Sequence, residues 1–241
     1  MPEAGFIREI FAAISSRYDL LNRVLSLGTD RRWRDRAVAA VTDGVSGSNA
    51  PRILDVCCGT GDLTLALAGT GAWVAGADFC HEMLVLGREK AAHLRATLGR
   101  SNGAVHLAEA DALRLPFRDG AFAGVTVAFG VRNLSDLGAG LKELLRVLEP
   151  GGRLAILEFG RPRGRAIGAL YALYLNVYVP VAGRLLSGSR DAYEWLASSI
   201  QAFPDQSLFP ERLGRAGFTE IRAESLTFGI AALYVATKPN R

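Results

Sequence analysis

The chain has 241 residues, of which 49% are hydrophobic, and its formal net charge is +4. That much apolar sequence can bury a substantial core, and the lack of repeats and low-complexity segments excludes solenoid and disordered proteins. We therefore expect one domain over residues 1–241.

Arginine supplies nearly all of the positive charge, because the only lysines are Lys90, Lys142 and Lys238. Arginine clusters lie at residues 31–36, around a tryptophan, and at residues 161–165. Such clusters contact nucleic acid or anionic lipid, or else form a solvated helix face. We adopt the solvated face and expect no nucleic-acid partner.

The cysteines indicate a reducing compartment. Cys57 and Cys58 are adjacent and Cys80 stands alone, so the chain has neither a CxxC pair nor a zinc spacing. None of the three histidines has a ligand-like neighbour, and we expect no metal. The beginning of the chain lacks the charged-then-apolar pattern of a secretory signal, which favours a cytoplasmic location.

The first segment, residues 1–45, is predicted to form a helical cap. Within residues 4–43 the apolar side chains recur at helical spacing, with Phe6, Ile10, Phe11 and Ile14 on one face. A glycine break at residue 28 divides the segment, so two or three helices are expected.

From residue 50 onward, short apolar runs alternate with amphipathic stretches. The runs interpreted as strands cover residues 52–56, 73–78, 105–108, 122–129 and 153–159. This alternation predicts a mostly parallel sheet with helices on both faces, and residues 50–160 are the expected cofactor-binding core.

The C-terminal segment, residues 206–241, is predicted to contain a helix and a hairpin. Its last two apolar runs, residues 218–226 and 230–237, are separated only by a turn, which cannot hold a crossover helix. The predicted fold class is therefore α/β: a Rossmann-like, doubly wound, seven-stranded sheet, mostly parallel, with a C-terminal antiparallel hairpin and an N-terminal helical cap.

Residues 166–183 form an uncharged stretch of 18 residues, which is long enough to be a candidate membrane span. We reject a span, because Asn176 and Pro180 lie inside the stretch and Tyr171, Tyr174 and Tyr178 recur at helical spacing. The stripe is either the core-facing side of a helix or a lid over an apolar substrate. We assign residues 164–205 to a helical insertion on the substrate side.

The strongest local motif is DVCCGTGD at residues 55–62, where a buried strand turns into a helix. Gly59 and Gly61 permit a tight turn and let a ligand approach the backbone, as in nucleotide-binding loops. Asp78 ends the next strand, where a carboxylate can accept both ribose hydroxyls of an adenosine. These features alone do not distinguish a dinucleotide from another adenosine ligand.

Three further features make that distinction. Thr64 occupies the place of the third glycine of a dinucleotide fingerprint, and Asp111-Ala112 follows the third strand, where it can hold an adenine edge. The motif RVLEPGG at residues 146–152 then ends a helix and leads into the fifth strand. Together with the glycine loop, these features resemble the class I S-adenosylmethionine-dependent methyltransferases.

Further motifs, several outside this core, are similar to those of the ubiquinone/menaquinone biosynthesis C-methyltransferase family, and the similarity covers nearly the whole chain. They are FAAISSRYDLLN at 11–22 with Trp33, FGVRN at 129–133, LEF at 157–159, AY at 192–193, SIQAFP at 199–204 and LTFGIAAL at 226–233. The resemblance implies methylation of a polyprenyl quinol, demethylmenaquinol to menaquinol in menaquinone biosynthesis, with S-adenosylmethionine as the cofactor.

The resemblance also implies site residues. Those expected to bind the cofactor are Gly59, Thr60, Gly61, Asp78, Asp111 and Ala112. The chain departs from the family pattern at Cys57, Ala123 and Ala128; the first and last of these lie near the expected cofactor and could tune its affinity.

The catalytic candidates are Arg132 and Asn133, just after the fourth strand. A quinol carbon becomes more nucleophilic when the neighbouring hydroxyl loses its proton, so a cation that stabilises the phenolate would assist. Arg132 could do so, although it is a poor base, and Asn133 could orient the quinol oxygen. Alternatively, Arg132 pairs with Asp136 or Glu158 as part of the scaffold.

Other interpretations stay open. The acceptor could be another phenolic or lipid-like small molecule, and non-catalytic S-adenosylmethionine binding or hydride transfer would suit the same core less well. Peripheral docking of residues 166–183 and the flanking arginines on anionic lipid, at the inner face of the membrane, is a hypothesis. The sequence also leaves open a homo-oligomer.

Overall fold

The computed structural model describes residues 4–43, 50–98, 103–162, 164–178 and 190–240. The α-helices in these ranges are α1 (Ala4–Ile14), α2 (Tyr18–Leu25), α3 (Asp30–Thr42), α4 (Asp62–Ala68), α5 (His81–Leu98), α6 (Leu137–Val147), α7 (Arg165–Leu173), α8 (Arg190–Ala202) and α9 (Phe209–Ala216). The strands are β1 (Arg52–Val56), β2 (Trp73–Asp78), β3 (Val105–Glu109), β4 (Phe122–Ala128), β5 (Leu148–Phe159), β6 (Thr219–Leu226) and β7 (Ala231–Thr237). Short 3-10 turns cover Ser15–Arg17, Val131–Asn133 and Thr227–Gly229, and a π-helical turn, Tyr174–Tyr178, continues α7.

The strands form one seven-stranded sheet in the order β3-β2-β1-β4-β5-β7-β6. All neighbours are parallel except β7, which runs antiparallel to both β5 and β6. The predicted fold class and terminal hairpin are confirmed. Strand β5 begins at Leu148 rather than at the predicted Arg153, because Leu148 already pairs with Phe122; extra residues in β5 then shift the register before Arg153 pairs with Gly124.

Each face of the sheet is covered by helices whose apolar sides match it. On one face, Trp33, Ala37 and Val41 of α3 pack with α4 against β1 and the β5–β7 end of the sheet. On the other face, α6 and α9 pack against the alternate residues of the same strands. Since both faces are covered, the exposed ligand-binding edge is the one at the carboxyl ends of the parallel strands, where the order reverses between β1 and β4.

A third apolar cluster lies over that edge, between the cap and the helices of the insertion. Ile10 and Ile14 of α1 pack with Tyr171 of α7 and Ile200 of α8. The predicted cap helices are present, but the expected apolar face was partly wrong: a neighbouring isoleucine at position 7 is buried, whereas Phe6 is 45% exposed and meets the edge of a tryptophan of α8.

The structure describes the predicted tyrosine stripe as far as Tyr178. Tyr171, Tyr174 and Tyr178 stack in sequence, with ring centroids 5.8 and 5.3 Å apart. The remainder of the 166–183 stretch and residue 163 of the second arginine cluster lie outside the described residues. Exposure rises from the buried ring of Tyr171 to that of Tyr178, so the stack leads from the interior to the surface.

Candidate functional site

The glycine loop follows β1 at the point where the strand order reverses. Gly59 and Gly61 have φ values of +55° and +81°, in the left-handed region that favours glycine. Cys57 at the end of β1 and Phe129 at the end of the adjacent β4 also have positive φ, of 55° and 57°. Non-glycine residues in this region carry backbone strain, which concentrates at functional sites.

Asp78 ties this loop to the end of β2. Its Oδ2 accepts a hydrogen bond from the Gly59 N–H at 2.8 Å, and its Oδ1 accepts one from the Cys80 N–H at 2.9 Å. The side chain is buried, and this burial raises the pKa of Asp78 above its ordinary value. The carboxylate is therefore fixed at the strand end, with lone pairs left for a ligand's hydroxyl groups.

A second carboxylate, Asp55, lies beneath the loop. It accepts hydrogen bonds from the Thr64 and Thr126 hydroxyls at 2.6 and 2.8 Å. Burial raises its pKa to about 6. Thr64 packs closely against Gly76 of β2: a Cβ there would lie 3.0 Å from the Thr64 Oγ1. The third glycine of a dinucleotide fingerprint is thus replaced by a polar anchor for the loop.

Asp111 and Ala112 lie beyond the end of β3, beside Asp78. The Ala110 N–H donates to the backbone oxygen of Asp78 at 2.9 Å, which joins the two strand ends. The Asp111 carboxylate accepts from the Leu113 N–H at 2.9 Å and remains exposed, while Ala112 is buried. Asp111 and Ala112 therefore lie next to Asp78, the residue predicted to bind the ribose.

The cap covers the glycine loop. The Thr60 hydroxyl donates to the Asp19 Oδ1 of α2 at 2.6 Å, and Thr60 is only 2% exposed. A Cβ built on Gly59 would lie 3.8 Å from the Cε1 of Tyr18. The Thr60 side chain is thus engaged by the cap, and what it offers a cofactor is its backbone.

A cavity of about 320 Å³ lies on the other side of Tyr18. It is bounded by the cap, by the ends of β4 and β5 and by α7 and α8, and most of its lining is apolar or aromatic. The aromatic members of the lining are Phe11, Tyr18, Trp33, Phe129, Phe159, Tyr171, Tyr174 and Trp195. Its size and lining suit a small apolar or aromatic ligand.

Arg132 brings a positive charge to the wall of this cavity. Its Nη1 pairs with the Glu158 Oε1 at 2.9 Å and also donates to the Phe129 carbonyl, and its Nε donates to the Ser199 hydroxyl at 3.3 Å. The Glu158 side chain is fully buried, and desolvation raises its pKa, although the Arg132 charge opposes that rise. Of the two partners that the sequence allowed, the structure selects Glu158.

Two other sequence candidates take supporting positions. Asp136 caps α6, where its Oδ1 accepts from the Ala139 N–H at 2.9 Å. Asn133 is not among the cavity-lining residues; its Oδ1 accepts from the indole N–H of Trp195 at 3.2 Å. The structure thus brings Arg132 to the cavity and places Asn133 behind it, linked to α8.

Sequence reasoning missed the contacts that hold the cap in place. The Trp33 indole N–H donates to the Thr227 hydroxyl at 2.8 Å, joining α3 to the β6–β7 turn. Lys90 of α5 reaches Asp19 and Thr60 from the far side of the loop. The only sequence signal for Lys90 was its rarity, as a lysine in a chain that otherwise uses arginine.

The residues around the glycine loop fit an adenosine-containing cofactor. A buried carboxylate at the end of β2, a loop without side chains at residues 59 and 61, and a small buried residue after β3 form one continuous strip. A carboxylate acceptor suits vicinal hydroxyls, and bare backbone permits close approach. Within the described ranges, no cluster of acidic, histidine or cysteine side chains is placed to hold a metal ion.

Comparisons with known proteins agree with this geometry. Residues 2–238 match the model of the ubiE/COQ5 methyltransferase family. A demethylmenaquinone methyltransferase of Thermus thermophilus is 47% identical over 234 residues, covering 95% of this chain and 100% of that protein. One from Deinococcus radiodurans is 43% identical, covering 96% of this chain and 92% of that protein.

Solved structures share the fold at much lower identity. The magnesium protoporphyrin IX methyltransferase of Synechocystis PCC 6803, solved with bound S-adenosylhomocysteine, has a TM-score of 0.67 at 18% identity and covers 98% of this chain and 100% of that one. The (4+2)-cyclase SpnF also has a TM-score of 0.67, at 16% identity, and the match covers 99% of this chain and 97% of that one. One fold therefore serves different reactions, and the choice of reaction has to come from the site.

Proposed function

Because this chain belongs to the ubiE/COQ5 methyltransferase family, we propose that it methylates a ring carbon of a polyprenyl quinol, converting demethylmenaquinol to menaquinol. The chain is an S-adenosylmethionine-dependent methyltransferase. The observation that carries the choice of acceptor is the aromatic-lined cavity beside the glycine loop, with the Arg132 charge in its wall.

The cofactor would lie along the strip from the glycine loop to β3. S-adenosylmethionine supplies an electrophilic methyl group on a sulfonium. Asp78 would accept the ribose hydroxyls, Asp111 and the Ala112 backbone would hold the adenine edge, and the backbone of residues 59–61 would face the amino-acid end. All of these groups are held by the strand ends before a ligand arrives, which limits the entropy lost on binding.

The cavity residues would hold the quinol ring with its reacting carbon towards the loop. Apolar walls exclude water, which strengthens the field of a fixed charge. Arg132, held by Glu158 and Ser199, would stabilise the negative charge on the quinol oxygen after its hydroxyl proton has passed to solvent, before the ring is enclosed. Asn133 would act by fixing Trp195, which also lines the cavity.

A methyl-transfer assay tests this function. Purified protein should methylate reduced demethylmenaquinone much faster than the oxidised quinone, because only the quinol can form a phenolate. It should also methylate reduced demethylmenaquinone faster than a demethylated ubiquinol precursor. Equal or faster turnover of the oxidised quinone would contradict the phenolate mechanism. Preference for an unprenylated phenol would favour a different acceptor, and no transfer to any of these would favour a binding protein.

We also propose that the protein contacts the inner face of the membrane, where a polyprenyl quinol resides. Leu27 and Phe228 are 79% and 77% exposed, although both are large apolar residues, and both occupy turns at positive φ. Leu27 borders the cavity, and Phe228 follows the cavity-lining Thr227. Arg31, four residues after Leu27, is exposed, and its charge would attract anionic headgroups.

No helix in the described ranges has the length and apolar character needed to cross a bilayer, so this contact would be peripheral. Flotation with vesicles rich in phosphatidylglycerol should recover the protein, and replacing both Leu27 and Phe228 by serine should reduce the recovered fraction several-fold. Leu208→Ser, at a residue 55% exposed and away from the cavity lining, is the matched control. Equal binding of all variants, or none by the native chain, would refute this surface.

A further inference from the structure

Lys90 of α5 holds together three acidic or hydroxyl groups from three parts of the chain. Its Nζ lies 2.5 Å from the Asp19 Oδ2 of α2, 2.6 Å from the Asp62 Oδ1 at the start of α4, and 2.9 Å from the Thr60 Oγ1 of the glycine loop. An ammonium group has three protons, and each has an acceptor here.

The approach of α5 to the loop is built into the packing. Gly87, about one turn before Lys90, lies against the loop: a Cβ there would lie 3.3 Å from the Thr60 carbonyl oxygen and 2.9 Å from the Leu107 Cδ1. Because this position has no side chain, α5 lies against the loop and the Lys90 stem can cross to the cap. The Lys90 side chain is 28% exposed, so the contact is partly sheltered from solvent.

The charges continue from Lys90 into the cap. Asp62 also meets Arg34 of α3 at 3.3 Å, and Arg34 pairs with the buried Asp30 at 2.6 Å. Lys90 and Asp62 therefore connect the loop to both α2 and α3. A network of this kind is worth more than an isolated surface ion pair, whose contribution is small.

We propose that Lys90 is a positioning residue that clamps the cap over the cofactor loop and so sets how long the cofactor and its product stay bound. It acts through Asp19: the neighbouring Tyr18 places its ring against Gly59 on one side and forms part of the cavity wall on the other. Holding Asp19 thus keeps Tyr18 between the cofactor strip and the cavity. The inference rests on the proposed function only in taking the loop as the cofactor site.

Arginine cannot replace this lysine. A planar guanidinium directs its donors outward in a fixed fork, whereas the three acceptors converge on a single nitrogen. Lys90→Arg would keep the charge but not the geometry. The Lys90→Arg variant therefore distinguishes a clamp, which needs the lysine geometry, from a general need for positive charge near the loop.

The test measures binding and cap motion rather than methyl transfer. Lys90→Gln should weaken S-adenosylhomocysteine binding about tenfold, mainly through faster dissociation, and should speed hydrogen exchange of backbone amides in residues 18–29 while leaving β1 and β4 unchanged. Lys90→Arg should recover little of the affinity, and Asp19→Asn should reproduce both effects from the other side. Lys142→Gln, at an exposed lysine of α6, should change neither.

Unchanged dissociation and unchanged exchange in Lys90→Gln and Asp19→Asn would overturn the clamp, as would full rescue by Lys90→Arg. Because neither readout uses a quinol, they stay informative if the proposed acceptor is wrong. Conversely, unchanged dissociation and exchange in Lys90→Gln, together with the expected preference of the native chain for the quinol, would refute only this inference.

Discussion

Replacement of Asp78 by asparagine is expected to weaken S-adenosylhomocysteine binding about a hundredfold. The carboxylate is already fixed by the N–H groups of Gly59 and Cys80, so it is aimed at a ligand without rearrangement. Hydrogen bonds to a charged acceptor contribute roughly 1.5 kcal/mol or more each. Asparagine has no charge and keeps only one acceptor oxygen, so neither ribose hydroxyl retains its charge-assisted bond. Loss of both, at about 1.4 kcal/mol per tenfold change, gives the expected weakening. Isothermal titration calorimetry measures it directly.

Glu109→Gln is the matched control for this substitution. Glu109 ends β3 opposite Asp78 in the parallel register, but its side chain is 43% exposed and pairs with Arg8. Its replacement removes a carboxylate from the same edge and should leave the affinity within about twofold, since exposed ion pairs contribute little. Similar affinity for both variants and the native chain would show that the Asp78 carboxylate does not bind the ribose. Thermal unfolding of each variant separates this result from loss of the fold.

The sheet was predictable because its signals are local. A buried strand between helical stretches shows as a short apolar run, and the closeness of the last two runs requires a hairpin. The glycine loop, Asp78 and the Asp111-Ala112 pair follow from the same logic, since the carboxyl ends of parallel strands share one edge. The sequence alone therefore predicts that these residues lie close together.

The contacts between distant elements were not predictable in this way. Arg132 had two acidic candidates, and the nearer one in sequence, Asp136, is used to cap α6 instead. Its real partner, Glu158, arrives through the pairing of β4 with β5. Lys90 meets Asp19 where Gly87 allows α5 to lie against the loop. Such pairings depend on side-chain geometry across the fold, which periodicity does not encode.

The cap shows a second limit of periodicity. Its helical stretch was recognised, and Phe6 was placed on one apolar face with Ile10 and Ile14, but Phe6 is 45% exposed and the next residue, Ile7, is buried. Helical spacing alone permits both, because an aromatic at the margin of the apolar stripe can turn to either side. In the structure Phe6 contacts Trp195 of α8, a residue of the insertion that the sequence of the cap does not contain.

Substitutions in the Arg132–Glu158 pair distinguish a catalytic role of Arg132 from a structural one. Arg132→Met should lower the free energy of unfolding by about 3–5 kcal/mol, because it leaves the fully buried Glu158 without its cation. The loss should be smaller at pH 5 than at pH 8. Burial already raises the pKa of Glu158 and the missing cation raises it further, so at the lower pH the lone carboxyl can take a proton instead of staying charged. Denaturant unfolding at the two pH values measures both effects.

The double replacement Arg132→Met with Glu158→Met distinguishes the two roles of the arginine. Removing both charges should restore most of the stability, since apolar side chains of similar volume often replace a buried ion pair without loss. Methyl transfer should stay at least about a hundredfold below that of the native chain, because no cation then faces the quinol oxygen. Arg36→Met, at an exposed pair with Glu224, is the control and should alter neither property. If activity returned together with stability, Arg132 would be a scaffold residue, and stabilisation of the phenolate would have to come from another part of the cavity wall.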